Sequence, residues 1–495
     1  MYARKLGIIL LFAVLYPALY AADSGDRISQ QMERLFSDPA FSRAIWGIKV
    51  QSVDSGELLY EQNANKLLMP ASNMKLVTGL AALEKLGLDY RFRTVVLTDG
   101  TISKGTLKGN LVVRGSGDPS LGARVSSPDP QDLTKGDARA VFQEWADKLK
   151  ERGIRKIEGD LVGDDRLFSK VPLGEGWSWD DLAYGYAAEI GALQFNENLV
   201  VLRIEAASQS GSVPQVSASP ESGYFKIENQ LETVEIHEEL ELAIDREPGN
   251  RFVIRGQIPK GRDAFFQTIA IERPTHYFLT VLKETLEESG IEVKGAMVDV
   301  DDWNGKVEDA RTELLVHESP PLKWILEVLL KISQNLYAET LLRMIDLHEA
   351  GKSAEGGREV VEGFLTRIGI PAEAYVLSDG SGLSRYNLLT PEMIVRLLRH
   401  AAHSDYREAF VETLPIGGVD GTIRSRMKGT AAANNVTAKT GAIAFVRALS
   451  GYVQTKDGET LAFSMLVNHF TDSRRTAEYL QDTALEILAN VSRKP

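Results

Sequence analysis

The sequence contains no cysteine. That absence removes thiolate catalysis, cysteine zinc sites, disulfides and cysteine-linked lipid anchors. Histidine is scarce, with seven residues, and only His400 and His403 stand at helical spacing, without a carboxylate ligand pattern around them. No metal is expected there. A basic excess is missing too: 56 Lys and Arg against 69 Asp and Glu leave a net charge of −13. No field of positive charge attracts nucleic acid or anionic lipid. There is no His-Glu-x-x-His and no Gly-x-Ser-x-Gly, and Gly115-Ser116-Gly117 lacks the remaining glycine and helix of a dinucleotide fingerprint. It reads as a turn, and no cofactor is implied. What is present is ordinary globular material, 43% hydrophobic and 25% charged, in 495 residues. At roughly 150 residues per domain this suggests about three domains.

Long apolar runs are confined to the start. Arg4 and Lys5 precede about 15 apolar residues from Leu6 to Tyr20, followed by Ala21-Ala22-Asp23. This is the pattern of a secretory signal peptide over 1–22, short for a bilayer-spanning helix of roughly 20 residues. The expected mature chain begins near Ala22 or Asp23, exported, soluble and without a membrane span. An uncleaved anchor is the alternative, because Leu19 and Tyr20 are imperfect ahead of a cleavage site.

Further along, Arg27 to Ser37 has helical spacing. Trp46–Val53 and Glu57–Tyr60 predict two strands around the turn signal Asp54-Ser55-Gly56. Pro70 precedes a helical run through Met74, Leu76, Val77, Leu80, Leu83 and Leu86, stopped by Gly87. From about Arg93 the texture becomes β-rich, with Thr94–Leu97 and Asn110–Val113 as short strands and one helix at Asp137–Lys150. Residues 206–222, rich in Ser, Pro, Gly and Gln, and the acidic stretch Glu228–Glu247 read as solvated loop and edge-strand surface. Regular α/β texture resumes near Ala264, with helices at Pro274–Ser289, Pro321–Lys331, Leu336–Glu349, Glu355–Ile368, Pro391–Ala402 and Ser473–Val491. Late strands follow at Ala448–Gln454 and Thr460–Asn468. The expected architecture is α/β and multi-domain: a split domain, 23–92 plus 264–495, with a β-rich insert at 93–263 that holds a nested subdomain near 204–256.

Three short signals stand in order. Ser72-Asn73-Met74-Lys75 opens the first strong helix, Ser333-Gln334-Asn335 lies between two helices, and Lys439-Thr440-Gly441 precedes a late strand. Together they match the motifs of serine β-lactamases and penicillin-binding proteins. Singly they are weak: Ser-x-x-Lys is expected about twice by chance in such a chain, and Ser425-Arg426-Met427-Lys428 is a second instance. Taken one at a time, Ser72 reads as a helix cap and Ser333 as a cap or turn residue. Lys-Thr-Gly is rarer, with roughly 0.1–0.2 chance occurrences.

The residue types suit one chemistry. A serine hydroxyl needs a base beside it, and residues i and i+3 share a helix face, so Lys75 can reach Ser72 Oγ. The lysine must shed its proton, which burial, the positive helix end and a second cation all favour. Lys439 would be that cation and would hold the negative end of a substrate. Ser333 would relay the proton towards the leaving amine, and Asn335 would orient Lys75 and a substrate amide. The N–H groups of Ser72 and Ala442 would receive the oxyanion, at roughly 3–4 kcal/mol per donor.

With these residues in view, the sequence resembles the class C low-molecular-mass penicillin-binding proteins, the D-alanyl-D-alanine carboxypeptidases and endopeptidases of DacB type (peptidase family S13). Two longer runs carry the resemblance. Asp379-Gly380-Ser381-Gly382-Leu383-Ser384-Arg385-Tyr386-Asn387 is similar to the loop beside that family's active site, and Gly418-Val419-Asp420-Gly421-Thr422-Ile423-Arg424 to the run ahead of its Lys-Thr-Gly strand. Ser72 and Ser333 lie 261 positions apart, which fits a family that inserts domains there. The resemblance implies a penicillin-binding domain with an antiparallel sheet flanked by helices, in the periplasm. It implies Ser72 as acylated nucleophile, Lys75 as base, Ser333 as proton relay and Lys439 as the contact for the substrate carboxylate, with Thr440, Gly441 and Ala442 also binding substrate. Trp177 to Tyr186 resembles the stretch that closes over a substrate diamino-acid side chain, where Asp181 would pair an ammonium and Tyr186 pack on the aliphatic stem. Plain core is the alternative for those aromatics. Gln334 occupies a variable position, and Ala442 replaces a Ser or Thr often found there, losing a hydroxyl while keeping the N–H. The expected partners are peptidoglycan peptides, with β-lactams as covalent inhibitors. A β-lactamase and a catalytically silent wall-binding module are the alternatives.

Overall fold

The structure is a computed structural model that describes residues 27–306, 312–348 and 350–493. The signal segment at 1–22 lies outside the described residues. The chain divides into two compact units: 1–81 with 329–333 and 361–495, and 82–328 with 334–360.

The first unit is built on a five-stranded antiparallel sheet, in the order Leu58–Gln62, Ile45–Ser52, Thr460–Asn468, Val446–Gln454, Thr437–Ile443. The first two strands are the expected hairpin, and Gly56 turns it with a φ of 72°. Alternation sorts the side chains. Trp46, Ile48 and Val50 face one way and pack with Ile28, Met32 and Phe36 of the helix at 27–36 and with Ala477, Leu480, Ala484 and Leu488 of the helix Arg474–Asn490. Gly47 faces the other way, where an added Cβ would lie 2.4 Å from Leu68 Cδ1 and 2.9 Å from Pro391 Cγ. The helix Pro391–Ala402 therefore lies close on that face, capped by Thr390, whose hydroxyl accepts from Met393 N.

The second unit carries a mixed five-stranded sheet, in the order Met297–Asp299, Leu161–Asp164, Leu111–Arg114, Arg93–Thr98, Thr312–Glu318. The helices Ala140–Glu151 and Pro274–Glu288 pack on one another around Phe142, Trp145 and Phe278. A four-stranded sheet, in the order Glu292–Val293, Lys156–Ile157, Thr106–Lys108, Thr101–Ser103, and two three-stranded sheets also belong to the unit. Strand Leu199–Glu205 lies between Gln215–Ser219 and Phe265–Ala270, and Arg251–Pro259 lies between Lys226–Val234 and Glu241–Glu247. The acidic stretch is thus two edge strands, tied by Arg251 to Glu228 and Glu247 and by Arg255 to Asp245.

Texture and compactness divide the chain differently. Residues after 264 pair with earlier strands of the second unit: 265–270 with 199–204, 297–299 with 161–163, and 312–318 with 93–98. Two elements also differ from expectation. The helix expected over Leu336–Glu349 runs Asn335–Met344, and Glu349 itself lies outside the described residues. Lys439-Thr440-Gly441 lies inside a strand of its own rather than ahead of one. Its Lys, Thr, Gly and Ala make a weak strand signature, and pairing with Val446–Gln454 supplies the order that composition does not.

Candidate active site

Pro70 brings the chain into a tight turn. Ala71 takes a φ of 45°, Ala71–Asn73 form one 3-10 turn, and the α-helix Met74–Leu86 continues from it. Ser72 stands half-buried in that turn and Lys75 follows one helical step on, fully buried. Lys75 Nζ lies 3.0 Å from Ser72 Oγ and donates to Ser381 O at 2.7 Å. The hydroxyl of Ser72 is thus taken up by the lysine, and the cap position of the turn belongs to Pro70. The second Ser-x-x-Lys lacks this geometry: Ser425 and Lys428 are exposed in a run of turns where Met427 has a φ of 59°.

Ser333 and Lys439 meet in the same unit. Lys439 Nζ donates to Ser333 Oγ at 2.8 Å across 106 positions, and to Thr440 O at 2.8 Å. Ser333 holds a φ of 66°, a backbone state costly for a residue with a Cβ and kept only where surroundings enforce it. Lys439 is fully buried, and its ammonium is held well below the ordinary lysine range by burial first and by the Lys75 charge second.

The strand carrying Lys439 is the sheet edge. Ala438 N donates outward to Pro415 O at 3.0 Å, so by two-residue alternation the N–H groups of Thr440 and Ala442 also face off the edge. Ala442 is exposed there. Gly441 turns its Cα towards the turn that carries Ser72, where an added Cβ would lie 2.5 Å from Pro70 O and 3.2 Å from Ala71 Cβ. Asn73 clasps the two elements. Buried completely, it donates to Lys439 O at 2.8 Å and accepts from Ser450 Oγ at 2.6 Å.

Both family-like runs serve as supports. In the loop after 378, the buried Asp379 accepts from Gly382 N at 2.7 Å, Ser384 N at 2.6 Å and Asn387 Nδ2 at 2.6 Å. That cage fixes the carbonyls of Gly380 and Ser381, which take Thr78 Oγ1 at 2.8 Å and Lys75 Nζ. In the second run, Asp420 accepts from the buried Lys331 at 2.6 Å, two residues before Ser333, and Thr422 accepts from Thr440 Oγ1 at 2.8 Å. Asn73, Lys331 and the structural use of Asp379 and Asp420 escaped the sequence reading. The contacts of Asn73 and Lys331 span 83 positions or more, while those of Asp379 close within eight, where only the Asp-Gly-Ser-Gly run hinted at a cage.

The remaining expected residues lie in the second unit. Gln334 caps the helix Asn335–Met344, accepting from Leu336 N at 2.9 Å. Asn335 Nδ2 donates to Tyr186 O at 2.7 Å, and Tyr186 OH donates to Asp181 Oδ1 at 2.6 Å. The structure therefore joins Asn335, Tyr186 and Asp181 in one chain of hydrogen bonds. Burial and Asp181 push the Tyr186 phenol up from its ordinary value. Its ring stacks on Tyr184 with centroids 5.7 Å apart. Trp177 packs against Phe168, Ile190, Ala192 and Leu336, as a core residue does, whereas Tyr186 is 44% and Trp179 85% exposed.

The sequence matches the D-Ala-D-Ala carboxypeptidase 3 (S13) family over residues 28–490. The chain belongs to that family. It is 34% identical to a D-alanyl-D-alanine carboxypeptidase of Actinomadura sp. (strain R39), over 91% of this chain and 83% of that relative. Among solved structures, this S13 member is similar to penicillin binding protein 4 (dacB) from Haemophilus influenzae, with a TM-score of 0.78 and 26% identity over 91% of this chain and 97% of the other. The Haemophilus protein in complex with a β-lactam gives a TM-score of 0.73 and 25% identity, over 92% and 97%.

Proposed function

We propose that this S13 enzyme is a serine-type D-Ala-D-Ala carboxypeptidase and endopeptidase, cleaving peptidoglycan stem peptides and cross-links through a Ser72 ester. The observation that carries the reading is the 3.0 Å approach of Lys75 Nζ to Ser72 Oγ beside a second buried ammonium, Lys439. Two buried cations repel, so charging one favours the neutral form of the other. A substrate carboxylate arriving at Lys439 supplies a counter-charge. Lys439 then stays charged and Lys75 serves as base.

In the reaction, Ser72 Oγ gives its proton to neutral Lys75 and attacks the carbonyl carbon of the penultimate D-alanine. The oxyanion sits against the N–H groups of Ser72 and Ala442. Collapse breaks the C–N bond, and the leaving amine takes a proton passed on by Ser333. D-Alanine departs, or the neighbouring strand's diamino acid in the endopeptidase reaction, and water hydrolyses the ester. Asn335 orients the amide, Thr440 and Gly441 line the carboxylate end, and Asp181 with Tyr186 receives the ammonium-bearing side chain. The expected signal peptide places this activity in the periplasm. Among the described residues no helix is long and apolar enough to cross a membrane.

Intact mass after brief exposure to benzylpenicillin, wild type beside Ser72→Ala, tests the reading. A stable adduct of one whole drug, on the wild type alone, is expected, because opening the lactam ring expels nothing. Destruction of the drug without an adduct would make the protein a β-lactamase. An intact drug without an adduct would leave a silent wall-binding module.

A further inference from the structure

The middle residue of the Ser333-Gln334-Asn335 motif has a partner that the reaction does not call on. Gln334 Nε2 donates to Glu197 Oε2, while its own Oε1 accepts from Leu336 N at 2.9 Å. Both ends of the amide are thereby used, and only one orientation satisfies them. Glu197 is 2% exposed and is held by Arg124, itself 5% exposed, through Nε and through Nη2 at 3.0 Å. Arg124 is anchored in turn on Pro130 O at 2.7 Å. A buried carboxylate without such a partner would be expensive; with one it becomes a fixed acceptor.

The turn that carries Glu197 is itself unusual. Asn196, Glu197 and Asn198 have φ values of 48°, 59° and 54°. Three consecutive left-handed residues with side chains are retained only where the surroundings over-determine them. The surroundings are polar and buried: Asn198 donates to Glu189 O at 2.8 Å, and Gln194 donates to Thr340 Oγ1 at 3.0 Å on the helix that Gln334 caps. Glu197 and Gln194 thus grip that helix at its cap and again at Thr340.

We propose that Glu197 is a positioning residue for the active site: its carboxylate, locked by Arg124, fixes Gln334 and so holds the Ser333-Gln334-Asn335 turn in its working shape. This rests on the proposed serine acylation. The turn needs an outside hold, since Ser333 keeps a φ of 66° immediately before Gln334. A glutamate at 334 would still cap the helix and would suit its N-terminus, but when ionised it would confront Glu197 without a donor. When protonated it could donate as the amide does. The charged and titratable groups about this contact are Arg124, Glu197 and Tyr337, with Asp132 beside Arg124 and Asp118 beside Tyr337.

The test is the rate of acylation by benzylpenicillin in the full chain, for wild type, Gln334→Glu and Gln334→Met, from pH 8 to pH 5.5, with circular dichroism and melting temperature alongside. Both variants keep the Arg124–Glu197 pair. At pH 8 each should acylate roughly 10- to 100-fold more slowly than wild type, a barrier change of about 1.4–2.7 kcal/mol. The ratio of Gln334→Glu to wild type should climb as pH falls, while that of Gln334→Met stays flat. Two folded variants acylating within twofold of wild type throughout would overturn the proposal. Equal losses with no pH-dependent recovery would overturn it also, and a loss in Gln334→Met alone, with Gln334→Glu near wild type at pH 8, would leave Gln334 as a helix cap only. Failure of the wild type to acylate would instead remove the underlying functional reading.

Discussion

At the scale of the residue, the Ser72–Lys75 pair was open to inference from spacing because three positions along a helix is a fixed distance. Asp379 was not. Its value comes from facing donors on Gly382, Ser384 and Asn387 with both oxygens, and no local pattern encodes a side chain whose partners are set by how a loop closes. That cage supports a sharp expectation. Asp379→Asn must set an NH2 group against existing donors whichever way the amide turns. Loss of charge-assisted bonds with unsatisfied buried donors costs roughly 2–4 kcal/mol, so urea unfolding should show a lower midpoint, and benzylpenicillin acylation should slow at least tenfold as the Ser381 carbonyl loosens its hold on Lys75. Unchanged acylation in a destabilised variant would show that the cage serves the fold alone.

Among the elements, the helix Pro391–Ala402 and the strand Thr460–Asn468 have the bounds that pattern and caps predict, since each carries its own periodicity and stop signals. The edge strand Thr437–Ile443 lacks such signals and owes its existence to a neighbour. Its glycine is the element-scale constraint. Gly441→Ala puts a Cβ 2.5 Å from Pro70 O, and backbone on both sides has little room to yield. The strand should lift from the turn that carries Ser72. A misplacement of about 1 Å can cost on the order of 100-fold in rate, and stopped-flow acylation by a reporter β-lactam should show a loss of that size. A wild-type rate in Gly441→Ala would mean that strand and turn are not in the close register described.

For the whole molecule, stability against pH is informative because one buried acid lies away from the site chemistry. Asp118 is completely buried, burial pushes its carboxyl up to about 6, its Oδ1 accepts from Ser120 N and Oγ, and its Oδ2 lies 3.8 Å from His317 Nε2. The folded chain therefore holds the proton more tightly than the unfolded one. This contribution is fully present below about pH 4 and is lost as pH rises through 6. Asp118→Asn should remove the loss, raising stability at pH 7 by on the order of 2–3 kcal/mol relative to wild type, with no gain at pH 4. His317, held low by burial, slopes the opposite way, losing its contribution as pH falls through its folded value; its Nε2 lies 3.8 Å from Asp118 Oδ2, so at low pH the difference between the two proteins also includes that pairing. Chemical denaturation at the two pH values gives the comparison. A variant no more stable than wild type at pH 7 would mean that ionised Asp118 is better solvated than its burial indicates.

Taken alone, the sequence settled the chemistry available. Without cysteine, and with Ser-x-x-Lys, Ser-x-Asn and Lys-Thr-Gly in order, it pointed to a serine-lysine acylating enzyme and to its family, because residue types and their order are properties of the chain. It also yielded the helices and strands whose periodicity is local. Only the tertiary structure decided that Lys439 meets Ser333 across 106 positions, that Asn73 clasps the edge strand, and that Glu197 reaches Gln334 across 137. It also decided that 265–270, 297–299 and 312–318 pair with strands of the second unit. Such contacts depend on chain closure over long separations, where many partners are compatible with the same periodicity. Packing and the satisfaction of buried polar groups select among them.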